Sequence, residues 1–253
     1  MDLGLRDKKA IITGGTKGIG RVILELLINE GCNVATCSRS IEDVNKTIDT
    51  CSTRRAEVFG DVCNVSDKEE YEGWIDAMVE KMEGVDIFIP NVSAGGGMDS
   101  EKNWWKNFET DVLGTVRGCE AVMPHMKKQG SGAITMISTT AAVETFGGPM
   151  AYNAMKASLI TYAKQLSQFI GHENIRVNTV LPGPIEFPGG SWEMIKDTMP
   201  KWYDKIISDH PSGRLGTPAE VANCIVFLSS PAASWVTGSN VVVDGGFTKR
   251  VQF

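Results

Sequence analysis

The stretch TGGTKGIG, residues 13–20, lies between the apolar run KAIIT (9–13) and the amphipathic stretch IGRVILELLINEG (19–31). The first run has the β-branched character of a buried strand. The second repeats its apolar residues at helical spacing up to a glycine stop. Glycines 14, 18 and 20 allow a tight turn, close approach of backbone to a phosphate, and close packing of helix on strand. The helix N-terminus then presents free N–H groups, the arrangement that holds a pyrophosphate. A glycine-rich turn alone is a weak signal. Directly after the first strand of an alternating chain, it predicts a dinucleotide-binding turn.

That alternation continues outward. NVATCS (33–38), AEVFGDV (56–62), VDIFIPN (85–91), GAITMIS (132–138), IRVNTVLPG (175–183) and NVVVDGG (240–246) read as six further strands. Helices are expected near 41–52, over 66–82 with Ser66 as cap and acidic residues in its first turn, over one long stretch 102–128, and over 150–171. No repeat, low-complexity tract or linker interrupts residues 1–253. The expectation is one α/β domain, a doubly wound (Rossmann-type) parallel seven-stranded sheet with helices on both faces. Ligands of such sheets bind beyond the carboxyl ends of the strands, where the winding reverses.

Composition narrows the partners. The 253 residues are 42% hydrophobic and 22% charged, as in an ordinary soluble protein. A net charge of −6 argues against nucleic acid and anionic membranes. No apolar run approaches the roughly 20 residues that span a bilayer, and MDLGLRDKKAIITGG has no signal-peptide pattern. Six scattered cysteines (32, 37, 51, 63, 119, 224) form no CxxC or His/Cys cluster. They read as reduced thiols of a cytoplasmic protein, with no support for a metal site.

AYNAMK (151–156) puts a tyrosine and a lysine four residues apart. Of the four tyrosines, this one alone has a lysine at i+4. On a helix the two share a face. A cation a few ångströms from a phenol favours the phenolate, moving its pKa down from about 10 toward working pH. Such a phenol can give a proton to a carbonyl oxygen or take one from an alcohol. Tyr152 alone would read as a half-buried core aromatic; its lysine partner points to acid/base chemistry.

With these residues the chain resembles the short-chain dehydrogenase/reductase family. TGGTKGIG, GDV (60–62), YNAMK (152–156), RVNTVLPGPI (176–185) and VTGSNVVVDGG (236–246) occur in that family's order and approximate spacing, over nearly the whole length. The resemblance implies hydride transfer between a nicotinamide cofactor and a carbonyl or alcohol carbon, with Tyr152 as acid/base and Lys156 gripping the nicotinamide ribose. It implies a cofactor cradle of Gly14, Thr16, Lys17, Gly18, Ile19 and Gly20, with Asp61 and Val62 at the adenine and Asn91 beside the ribose. Pro182, Gly183 and Ile185 are implied as further cofactor contacts, Ile185 packing on the nicotinamide.

An enzyme choosing NAD usually carries an acidic side chain at the end of the second strand. Here that end reads CSRS (37–40), without a carboxylate. Arg39 can pair with a 2′-phosphate, Lys17 can add a second cation, and Ser38 a hydroxyl. Either cation alone would be an ordinary solvated charge. Their coincidence at the positions that the resemblance gives to the 2′-phosphate favours NADP(H) over NAD(H).

Three departures from the family pattern stand out. The hydroxyl that polarises the substrate carbonyl, usually a serine, falls in MISTTAAVETFGGPMAY, where spacing favours Thr139 and residue type favours Ser138. The two alternate along an extended chain, so one of them faces the site. Asp111 stands where the family carries an asparagine that orders a proton relay; aspartate lacks the N–H donor and adds a charge. It reads equally as a relay residue or an ordinary helix carboxylate. In PNVSAGG (90–96) only Asn91 keeps the family's pattern, and Gly95-Gly96-Gly97 suggests a flexible loop beside the cleft.

The resemblance makes 186–211 a lid over the substrate, with Trp192, Met194, Met199, Trp202 and Tyr203 suited to an apolar or mixed ligand. Glu144, Gly147, Gly148 and Met150 are expected on the opposite wall. His125, His172 and His210 read as surface or capping residues. A homotetramer or homodimer is implied; as a separate hypothesis, Phe253 reaches a neighbouring subunit's site. The expected activity is that of an NADP(H)-dependent carbonyl reductase or alcohol dehydrogenase. A 3-oxoacyl thioester, a cyclic or aromatic ketone, a steroid and a sugar all stay open as substrates. The alternative is a non-catalytic NADP(H)-binding sensor or scaffold.

Overall fold

The computed structural model describes residues 2–51, 56–97, 99–145 and 147–251; Phe253 lies outside them. Seven strands, β1 (Lys9–Thr13), β2 (Asn33–Ser38), β3 (Val58–Val62), β4 (Ile87–Ile89), β5 (Gly132–Ile137), β6 (Ile175–Pro182) and β7 (Asn240–Val243), form one parallel sheet in the order β3-β2-β1-β4-β5-β6-β7. The chain starts in the middle, runs outward to β3, then crosses back to set β4 against the other edge of β1. The winding reverses there, opening a crevice at the carboxyl ends of β1 and β4.

Alternate strand residues feed two cores. Ile11 and Phe88 pack with Tyr71 and Trp74 of α3 (Lys68–Met82), Cys119 of α5 (Gly114–Gln129) and Leu166 of α6 (Met150–Ile170). Their neighbours Ile12 and Ile89 pack instead with Ile23 and Leu27 of α1 (Gly18–Asn29) and with Val221 and Ile225 of α9 (Pro218–Ser229). Burial on both faces explains why the strands read as nearly continuous apolar runs.

Two expectations need correction. Helix α3 is capped by Asp67 and not Ser66: Asp67 has the extended backbone of a cap, and its carboxylate accepts the Glu70 N–H at 3.1 Å. The Ser66 hydroxyl pairs with Thr110 at 3.1 Å. The single helix expected over 102–128 is three pieces: α4 (Glu101–Asn107), a π-helical turn Phe108–Leu113, and α5. The wider turn inserts a residue into the helical repeat, and Asp111 within it is fully buried.

After β6 come α7 (Ser191–Thr198) and α8 (Pro200–Asp209), which hold a small core of their own from Tyr203, Ile206, Leu215 and Phe247. Among the described residues no helix is long and apolar enough to cross a membrane. All six cysteines are free thiols, five of them buried.

Candidate active site

The glycine turn folds back on β2. The Gly14 N–H donates to the Cys37 carbonyl at 3.0 Å, and the Gly15 N–H to Thr36 Oγ1 at 2.9 Å. Gly14 and Gly18 take left-handed φ values of 69° and 57°, which a side chain would strain. At Gly20 a Cβ would lie 2.4 Å from both Asn91 Nδ2 and the Gly14 carbonyl. Asn91 laces the crevice shut at its base. Its Nδ2 donates to the Thr13 and Gly14 carbonyls at 2.9 and 3.1 Å, and its own N–H donates to Thr13 Oγ1 at 3.0 Å.

The start of α1 fits an anion. Lys17 is its N-cap and gives no side-chain bond to the first N–H groups, and no acidic residue stands in the first turn. Thr16 and Ile19 are half-buried beside it. Lys17 and Arg39 are exposed, and neither meets a carboxylate among the described residues. Ser38 Oγ accepts the Ser40 N–H at 3.3 Å, and Asp61 accepts the N–H of its neighbour Val62 at 2.7 Å. Strand pairing sets Cys37 beside Asp61 and Ser38 beside Val62, so all four lie at one end of the sheet. At the end of β6, the Gly183 N–H donates to the Val243 carbonyl at 3.0 Å, next to Pro182, and buried Ile185 bridges to Gly216. Phe187, which the sequence does not single out, lays its ring on the glycine turn: a Cβ on Gly18 would sit 2.8 Å from it.

The candidate acid/base group lies at the end of β5. Tyr152 and Lys156 project from α6, the first half-buried and the second buried. Lys156 Nζ donates to the Ile137 carbonyl at 2.9 Å and stands 3.1 Å from Asp111 Oδ1. That contact is an ion pair without an aligned hydrogen bond. The other carboxylate oxygen, Oδ2, accepts the Ala94 N–H at 3.0 Å.

The two hydroxyl candidates separate here. Ser138 is buried and donates to the Lys156 carbonyl at 2.8 Å, pinning β5 to α6. Thr139 is half-buried with extended backbone, and its hydroxyl acts to lower the pKa of the Tyr152 phenol. Its Oγ1 also accepts the Ala141 N–H at 3.3 Å.

The expected downward shift of Tyr152 is not the net outcome. Burial raises its pKa above the usual 10.0, and the Asp111 charge pushes the same way. Lys156 and the Thr139 hydroxyl pull it down, as expected, but do not prevail.

The Glu144 carboxylate is engaged by the chain after β7, accepting the Lys249 N–H at 3.1 Å and the Arg250 N–H at 3.1 Å. Asp99 reaches from the loop after β4 to accept the Met150 N–H at 2.9 Å, capping α6 from a distance. Trp192 and Trp202 stack at 5.4 Å, and Trp202 borders Gly147 in the loop that leads into Tyr152. Tyr203 is buried and donates to Glu186 at 2.9 Å. His125 pairs with Asp76 at the surface, His172 is exposed beside Glu173, and His210 is buried at the end of α8 with Nδ1 2.8 Å from the Ile206 carbonyl.

The family described as enoyl-(acyl carrier protein) reductase matches residues 14–248. Isoepoxydon dehydrogenase of Aspergillus clavatus is 35% identical, with 98% of each chain covered. Dehydrogenase/reductase SDR family member 4 of Sus scrofa is 33% identical over 98% of this chain and 89% of its own. The crystal structure of L-sorbose reductase from Gluconobacter frateurii, complexed with NADPH and L-sorbose, superposes with a TM-score of 0.90 at 29% identity, covering 99% of this chain and 100% of that one. Similarity that runs through the glycine turn and both site helices to the last strand has one meaning: the chain belongs to the short-chain dehydrogenase/reductase family, and it is an oxidoreductase acting on alcohol and carbonyl groups.

Proposed function

We propose that this enzyme transfers hydride between NADP(H) and a small ketone or secondary alcohol, with Tyr152 as its acid/base. The observation that carries this reading is that α6 sets Tyr152 and Lys156 one turn apart, with the Lys156 ammonium held by the Ile137 carbonyl at 2.9 Å at the end of β5 and Thr139 two residues further along the chain. The hydride would come from a bound nicotinamide, or return to it in reverse. The chain handles the proton. Thr139 donates to the carbonyl oxygen and polarises it. As charge builds on that oxygen, Tyr152 gives up its phenolic proton, and Lys156 stabilises the phenolate left behind. A phenol held above its usual pKa stays protonated near neutrality, ready for reduction.

Gly14, Gly18 and Gly20, the first N–H groups of α1 and Asn91 would hold the pyrophosphate and ribose side of the cofactor. Lys17 and Arg39, which meet no carboxylate among the described residues, suit a 2′-phosphate, and the NADPH complex of a structural neighbour supports the same choice. The net charge of −6 disfavours an acidic carrier protein as the substrate's handle, leaving a free small ketone as the better class. Residues 186–211 form the proposed lid. Exposed Trp105 and Phe169 support assembly of copies into a homodimer or homotetramer.

The test is NADPH oxidation across a panel of small ketones. Tyr152→Phe should cut turnover about 10²- to 10⁴-fold, the usual worth of a general acid, while NADPH affinity is kept. Tight NADPH binding without turnover on any ketone would favour a sensor instead, and an active Tyr152→Phe variant would remove the assigned acid.

A further inference from the structure

We propose that Asp111 is a positioning residue that holds the phenol in its protonated form: its buried carboxylate clamps the Lys156 ammonium and cancels much of the positive field that the ammonium would otherwise exert on the phenol. The inference rests on the acid/base reading of Tyr152 and adds a control on its protonation state.

The geometry leaves the carboxylate little freedom. Oδ2 is fixed by the Ala94 N–H at 3.0 Å, and Oδ1 stands 3.1 Å from Lys156 Nζ. The ammonium is fixed in turn by the Ile137 carbonyl at 2.9 Å. Both side chains are shielded from water, at 0% and 3% exposure, so their mutual attraction is weakly screened. The carboxylate belongs to the π-helical turn Phe108–Leu113.

An asparagine of the same shape would still accept the Ala94 N–H but would leave the ammonium's charge unbalanced. The phenol would then lose its proton more readily. With aspartate, the phenol keeps its proton.

Other charges do not compete for this role. Lys156 and Asp111 are the charged groups that act on the phenol. On the elements packed against α6, Glu101, Lys102, Lys106 and Glu109 are exposed. Arg176 of β6 is engaged by the Leu228, Ser230 and Val236 carbonyls, and His172 and Glu173 lie past the far end of α6. The turn Thr140–Ala142 carries no charge.

Spectral titration of the cofactor-free protein reads the phenolate directly. The chain has four tyrosines, and the Tyr152→Phe protein isolates the signal of one. In Asp111→Asn the Tyr152 midpoint should fall by about one pH unit, a tenfold gain in phenolate at any pH below it. The pH of half-maximal alcohol oxidation should fall with it. Asp111→Ser is the second neutral variant and should shift the same way. An unmoved or raised midpoint in a folded neutral variant overturns the proposal, because a purely structural pair would lower Tm without moving the titration. Failure of both variants to fold would also overturn it, in favour of a stabilising role alone. The titration needs no turnover, so a failure of the acid/base reading itself would show separately, as an active Tyr152→Phe enzyme.

Discussion

Lys156→Met tests the buried pair as a source of stability. Methionine keeps most of the aliphatic stem but removes the ammonium that faces Asp111 at 3.1 Å. At that separation and an effective dielectric near 20, the lost attraction is about 5 kcal/mol. Breaking a buried ion pair from one side typically costs about 3–5 kcal/mol, since the remaining charge has no compensation. Asp111 would keep a single hydrogen bond, from Ala94. For a chain of this size, that loss lowers Tm by about 6–20 °C. Urea denaturation and thermal melting would read it. The double variant Asp111→Asn with Lys156→Met removes both charges and should recover at least half of the loss, because a neutral pair carries no desolvation penalty. A single-variant cost under about 1 kcal/mol, or a double variant no better than the single, would refute the claim that the charges balance each other.

Three further outcomes follow from other parts of the structure. Gly20→Ala places a Cβ 2.4 Å from Asn91 Nδ2 and the Gly14 carbonyl, so it should cost about 1–3 kcal/mol of stability and weaken NADPH binding, measurable by melting and titration. Arg39→Ala should weaken NADPH by about tenfold to a hundredfold and leave NADH unchanged, the worth of a hydrogen bond to a charged group; equal losses for both cofactors would remove Arg39 from the 2′-phosphate. Hydrogen bonds from Arg214 and from Thr217 hold the Glu220 carboxyl down to about 2 from 4.5. A lowered folded-state value means that its contribution is present above about pH 4.5 and is lost as pH falls toward about 2, so Glu220→Gln should flatten that limb of the Tm profile.

The fold could be read from the strands because each is short, apolar and bounded by glycine or a polar turn; β1, β2 and the glycine turn lie where periodicity puts them. The break at Phe108–Leu113 could not, since no glycine or proline interrupts that segment and its hydrogen-bond shift leaves no compositional trace. Helical spacing sufficed to set Tyr152 beside Lys156. The choice between Ser138 and Thr139 depended on the register with which β5 meets α6, visible only once Ser138 is seen bonding the Lys156 carbonyl. Asp111 and Lys156 are 45 positions apart, a pairing that topology and not local pattern creates. The same holds for Glu144, whose partners Lys249 and Arg250 lie at the other end of the chain, and for Asp99 at the start of α6.

Those two carboxylates carry an evolutionary implication. Asp99 grips the Met150 amide, and Glu144, inside the segment between Thr139 and Tyr152, grips the amides after β7, so that segment is tied at two points to distant parts of the chain. A substitution in either tether would tilt that segment without meeting a ligand. New substrate preferences can therefore arise by drift at remote anchors, long before any pocket-lining side chain is exchanged.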